Sequence, residues 1–146
     1  MQLSEHFTLA EFTHSQTAAR LGLDNTPSRE VTENLKLAAC RMEIVRKLLG
    51  NVPIVVSSGY RSPQVNRAIG GSNTSDHCKG HAIDFVAPSF GTPFQVAKAI
   101  AEATPRIEFD QLILEFGNWV HISFAPANRR QVMTFQHGDY SNGLKP

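Results

Sequence analysis

Ser75-Asp76-His77-Cys78-Lys79-Gly80-His81-Ala82-Ile83-Asp84 places an imidazole, His77, and a carboxylate, Asp84, seven positions apart. An odd separation along one straight strand sends side chains to opposite faces, so the two converge only if the backbone bends between them. Lys79-Gly80 offers that bend, because glycine accepts the positive φ of a tight turn. Beyond it, His81 to Val86 reads as a short strand, with Ala82, Asp84 and Val86 on one face and His81, Ile83 and Phe85 on the other. On this parity His81 looks away from the pair. A second imidazole, His121, stands in another strand-like run and joins His77 and Asp84 as a third candidate ligand.

Two neutral imidazoles and one carboxylate leave a tetrahedral Zn2+ with an open fourth position, the arrangement of catalytic sites; structural sites are more usually filled by cysteines. Cys78 and His81 stand beside this set and are left out of it, Cys78 as an inert thiol and His81 by its parity. Taken singly, each of the three ligands is an ordinary polar residue. Their combination carries the reading.

Ser75, His77, Gly80, Ala82 and Asp84 match the pattern S-x-H-x-x-G-x-A-x-D, and Trp119-Val120-His121 resembles a second signature. Both are signatures of the zinc peptidases that include D-alanyl-D-alanine carboxypeptidases and phage murein endopeptidases, with hedgehog signalling domains as distant relatives of the fold. The resemblance runs from Phe7-Thr8-Leu9-Ala10-Glu11-Phe12 through Ser58-Gly59-Tyr60-Arg61-Ser62 to the strand after His121. It implies an α+β fold, in which a small antiparallel or mixed sheet carries the zinc site and packs against helices. It also implies hydrolysis of an amide bond in a peptidoglycan stem peptide, by a carboxypeptidase or by an endopeptidase of the endolysin type.

The resemblance assigns roles to individual residues. Arg61 matches an arginine that binds substrate carbonyl or carboxylate oxygens, and its fixed guanidinium fork suits that task. Ser75 resembles a residue that supports the site through hydrogen bonds, and Tyr60 and Trp119 are candidates to line the cleft. A general base is also required. Relatives place a carboxylate a few residues before the third ligand; here Asn118 stands three before His121, and Glu115 stands six before it, a spacing also seen in hedgehog-like members. Trp119 occupies the place where relatives often carry a further histidine.

Hairpin parity ties Glu115 to the site. If Gly117-Asn118 is a two-residue turn, Leu114 pairs with His121 and Glu115 faces away. If Phe116-Gly117-Asn118 is a three-residue loop, Ile113 pairs with His121 and Glu115 shares its face. A catalytic role predicts the longer loop.

At 146 residues with 41% hydrophobic content, the chain is expected to form a single domain, residues 1–146, with its own core. A net charge of +1 argues against nucleic acid as a partner. The first residues lack the pattern of a signal peptide, and no apolar run is long enough to span a bilayer, so the expectation is a cytoplasmic product without membrane insertion, and a monomer. A wall substrate would then be met after release, as by a phage lysin, or from a phage particle. Cys40, in an apolar helical stripe, and Cys78 read as free thiols.

Thr8 caps a short helix near Leu9 to Phe12, and Val31, Leu35, Ala38, Met42, Val45 and Leu49 recur at the spacing of a core helix that begins near Thr26 or Ser28 and ends at Gly50. Val52 to Ser57 reads as a strand, Pro63 to Ile69 as a short helix, and Thr92-Pro93 opens another helix that Pro105 closes. Asp110 to Phe116, Trp119 to Phe124 and Gln131 to Gln136 read as strands, and His137 to Pro146 as a polar turn-rich segment over an edge. Two other readings stand beside the enzyme: a non-catalytic, zinc-stabilised module that binds wall or protein, and a phage structural component that keeps the fold.

Overall fold

In the computed structural model, which describes residues 1–146, local signals place the helices closely. Thr8 and Glu11 close a capping box around α1, Leu9–Thr13, and Ser28 caps α3, Arg29–Leu48. Between them lies α2, Gln16–Leu21, which the irregular apolar spacing of that region does not announce. Ser62 caps α4, Pro63–Ala68, and Thr92 with Gln95 caps α5, Pro93–Ala101. These side-chain oxygens satisfy amides that the first helical turn leaves without partners.

Six strands form one sheet: β1, Val55–Ser58; β2, Ala82–Val86; β3, Gln111–Glu115; β4, Trp119–Ser123; β5, Gln131–Gln136; and β6, Asp139–Asn142. Their spatial order is β1-β2-β4-β3-β5-β6, antiparallel throughout except for the parallel pair β3 and β5. The polar segment after Gln136 therefore adds a sixth strand to the sheet, where the sequence reads only as a turn-rich cover. No helix is long and apolar enough to cross a membrane.

The two faces of the sheet divide the work. Ile83, Phe85, Leu112, Val120 and Ile122 share one apolar cluster with Leu35, Ala38, Met42 and Val45 of α3 and Val96, Ala97 and Ile100 of α5. Burying these side chains supplies the main driving force for the fold, at roughly 25 cal/mol per Å² of apolar surface. Strand alternation then turns Asp84, His121, Ile113 and Glu115 to the opposite, open face. Cys40 does not share the apolar stripe of α3: it is exposed, because it sits between the buried positions Ala39 and Met42 on the solvent side of the helical turn.

Candidate metal centre

His77 lies in a 3₁₀ turn, Asp76–Lys79, whose end is set by Gly80 at φ +78°. A side chain at Gly80 would be strained by that φ and would also press on the Val31 carbonyl of α3. The turn therefore provides the bend that brings His77 back toward β2, where Asp84 pairs directly with His121 of β4. One ligand atom from each of the three residues lies within 4.8 Å of the others, and all three side chains are buried.

The bond pattern defines which lone pairs are available. His77 Nδ1 lies 2.7 Å from the Gly59 carbonyl oxygen, which fixes the proton on Nδ1 and leaves Nε2 unprotonated. Nε2 is buried with no hydrogen-bond partner, 3.3 Å from Asp84 Oδ2. His121 Nδ1 faces Asp84 Oδ1 at 2.8 Å. A buried imidazole lone pair without a donor, beside a carboxylate and a second imidazole, fits a divalent metal that prefers nitrogen and oxygen ligands.

Electrostatics agree with this division. Burial lowers the pKa of His77 and outweighs the attraction of Asp84, so the ring is held neutral. Burial also acts on Asp84 and pushes its carboxyl upward, but the charges and hydrogen bonds of His77 and His121 reverse the effect and hold it well below the usual carboxylate range. His121 is desolvated too, yet its bond to Asp84 raises its pKa.

The β3–β4 connection is the three-residue loop Phe116-Gly117-Asn118, with Phe116 and Gly117 both at positive φ. Ile113 therefore pairs with His121 and Glu115 with Trp119. Glu115 shares the face of the ligands, and its Oε1 lies 3.8 Å from His121 Nδ1. Burial, followed by the Asp84 charge, raises its pKa. Asn118, at the exposed loop tip, has no such position.

Arg61 lines the same cleft. Its Nη1 donates to Asn66 Oδ1 at 3.2 Å, and its Nη2 lies 4.0 Å from Asp84 Oδ2. The cleft extends past the ligands to a volume of about 1110 Å³. Ser75 sits on its rim and accepts the His77 amide at 3.2 Å, so it holds the ligand turn.

Three expectations require correction. Tyr60 is buried in the core cluster, with its amide on the Phe12 carbonyl, because the residue beside the cleft-facing Arg61 is turned inward. Trp119 does not line the cleft: it lies on the ligand face of β4, packed on Phe116 at 5.4 Å between ring centroids. Its indole nitrogen has no well-formed hydrogen bond, yet lies near enough to lower the pKa of Glu115. His81 stays outside the ligand cluster but does line the cleft, because it precedes β2 and strand parity does not govern it. Beside these residues, Asp76 accepts the Ser123 hydroxyl at 2.6 Å.

Two contributors escape sequence reasoning. The Gly59 carbonyl orients His77, and buried Asn66 links Arg61 to the Ser72 carbonyl, to which its Nδ2 donates at 2.8 Å. The only available signal was their place in Gly59-Tyr60-Arg61 and in the helix that follows it.

Residues 5–123 match the sequence model of the peptidase M15 family. Over 58 residues the chain is 36% identical to a zinc D-Ala-D-Ala carboxypeptidase of Streptomyces albus G, a stretch that covers 40% of this chain and 23% of that protein. The chain thus matches under a quarter of that relative's length.

Proposed function

Because the chain belongs to the peptidase M15 family, we propose that His77, Asp84 and His121 hold Zn2+ and that the site hydrolyses an amide bond in the stem peptide of peptidoglycan. The observation that carries this reading is the position of Glu115, a carboxylate of raised pKa on the ligand face, 3.8 Å from His121. A non-catalytic binding module has no use for a base in that place.

Zinc, when bound, supplies a Lewis acid that makes water a nucleophile near neutral pH. Glu115 accepts the proton of the attacking water and returns it to the leaving amine; its raised pKa brings it closer to the range where both transfers are efficient. The Arg61 guanidinium, held by Asn66, faces the substrate oxygen that gains charge in the transition state. Gly59 holds the His77 ring in the tautomer that leaves Nε2 free.

We read the scissile bond as internal, which makes the activity that of an endopeptidase. The cleft, at about 1110 Å³, is somewhat larger than the ~300–1,000 Å³ typical of small-molecule sites. It runs from Asp110 and Arg129 past the ligands to Phe135 and Tyr140, which leaves room for peptide on both sides of the metal.

The test is release of new amino groups from purified peptidoglycan by zinc-loaded protein, by chelated protein and by Glu115→Ala. Release that is lost on chelation and in Glu115→Ala, while that variant still binds zinc, is the expected result. Zinc binding without product from any wall preparation would overturn the peptidase reading in favour of a binding module.

A further inference from the structure

The open face of the sheet continues beyond the ligands across strands that lie outside the family match, which ends at residue 123. In register, His121 pairs with Ile113, Ile113 with Met133, and Met133 with Asn142. One row nearer the β3–β4 loop, Glu115 lies between Trp119 and Phe135, and Phe135 pairs with Tyr140. Ile113, Met133, Phe135 and Tyr140 all line the cleft. The hairpin of β5 and β6 thus forms its floor and far wall beside the proposed base.

The cleft is chemically divided. Asp76 is bonded to Ser123, Asp110 precedes Gln111, His81 precedes Ala82, and Arg129 is paired to Asp110, so these charged or titratable groups gather around one end. Gln111 and Gln131 form the border, with their amides bonded to each other at 3.0 Å. On the other side of that border, Glu115 is the only charged side chain among the paired residues of β3, β5 and β6 that face the cleft. Phe135 packs at a tilt against Tyr140 at 4.5 Å and edge-to-face against Phe116 at 5.3 Å between centroids. Tyr140 is 60% exposed and pairs with Phe135, which itself pairs with Glu115.

We propose that the β5–β6 hairpin, with Ile113 of the adjoining β3, is a specificity wall, in which Ile113, Met133, Phe135 and Tyr140 take an uncharged apolar residue of the peptide next to the scissile bond and exclude a charged one. The proposal rests on the peptidase reading for the identity of the peptide. A cationic side chain laid on Ile113 and Met133 loses its hydration without gaining a counter-ion, since the nearest carboxylate, Glu115, is needed as the base. A methyl or other small apolar group loses nothing there and covers the thioether and rings. Met133, Phe135 and Tyr140 lie beyond the family match, which ends at residue 123, whereas Ile113 lies within it.

The experiment uses the zinc-loaded full chain, with cleavage read in the wild type and binding read in Glu115→Gln through Trp119, its single tryptophan, which packs on Phe116. The ligands are an alanine-rich stem-like peptide and two derivatives with lysine on one or the other side of the central bond. Lysine on one side is expected to weaken binding and cleavage about tenfold or more. Met133→Glu should remove that penalty, while Met133→Leu keeps it. Discrimination that Met133→Glu leaves unchanged, with zinc still bound, overturns the wall and leaves the peptidase reading standing. Lysine-sensitive binding without cleavage does the reverse. If a glycan disaccharide displaces the peptide and Tyr140→Ala abolishes that displacement, the rings hold sugar and the proposal fails.

Discussion

The Nδ1 atom of His77 lies 2.7 Å from the carbonyl oxygen of Gly59, and Gly59 itself stands against the last turn of α1. The Tyr60 amide donates to the Phe12 carbonyl at 2.6 Å, and a Cβ on Gly59 would collide with that same oxygen. One residue therefore sets both a close backbone approach and the orientation of a metal ligand. Gly59→Ala should cost about 1–3 kcal/mol through overpacking. By shifting the carbonyl, it should also weaken zinc binding ~10–100-fold. Thermal melting and competition against a chromophoric chelator read the two effects separately. A lowered melting temperature with unchanged affinity would show that the carbonyl does not orient His77.

Asn66 holds Arg61 in a comparable way. Its side chain, buried, accepts from Arg61 Nη1 and donates to the Ser72 carbonyl, and Gly71 passes so close that a Cβ there would meet its Oδ1. Asn66→Ala leaves the Arg61 fork free to close the 4.0 Å gap to Asp84, and strips a partner from the Ser72 carbonyl. A misplaced catalytic group can lower kcat/KM by ~100-fold, and that is the scale expected here. Gly71→Ala, which pushes on Asn66 from the loop side, should act in the same direction. Steady-state kinetics with zinc content measured in parallel provide the check. Loss of zinc from both variants would instead make Asn66 a support of the ligand turn.

The ligands were legible because their convergence depends on a local device, the Gly80 turn, and on strand parity, which is a short-range rule. Glu115 was legible only as a pair of alternatives, and the three-residue loop decides between them. Tyr60 was misplaced because adjacency to Arg61 in sequence suggests a shared cleft, whereas neighbouring residues at a strand exit point to different sides. The sixth strand and the pairing of Asp110 with Arg129 depend on β5 returning parallel to β3, a long-range contact that no local pattern announces. The same holds for the Gly59 carbonyl, since a backbone oxygen carries no residue-type signal.

Metal removal should change stability as well as activity. The three ligands join the 3₁₀ turn to β2 and β4, so an ion bound there links a loop to the centre of the sheet. At a free zinc concentration a hundredfold above Kd, the folded state gains about 2.7 kcal/mol. For a chain of this size the corresponding rise in Tm is roughly 10 °C. Calorimetry with and without chelator measures it. His77→Ala should abolish the difference, and an equal rise in that variant would place the ion elsewhere.

Asp110 offers a pH test away from the metal. The residue is buried, and its carboxylate accepts from Arg129 Nε and Nη2, both at 2.8 Å, and from the Arg129 amide at 3.0 Å. These bonds, led by the guanidinium, hold its carboxyl below the usual range. A depressed folded pKa means that the pair stabilises the protein above the unfolded value, ~3.9, and that this stabilisation is lost as pH falls through the lower folded value. In urea titrations from neutral pH downward, the wild type should lead Asp110→Asn by a constant margin until about pH 4. Below that the two curves should converge, because protonation removes from the wild type what the substitution has already removed from the variant. The other carboxylates titrate in both proteins and cancel in the difference. Two curves that remain parallel into acid would show that the Asp110 charge contributes nothing to the anchoring of Arg129.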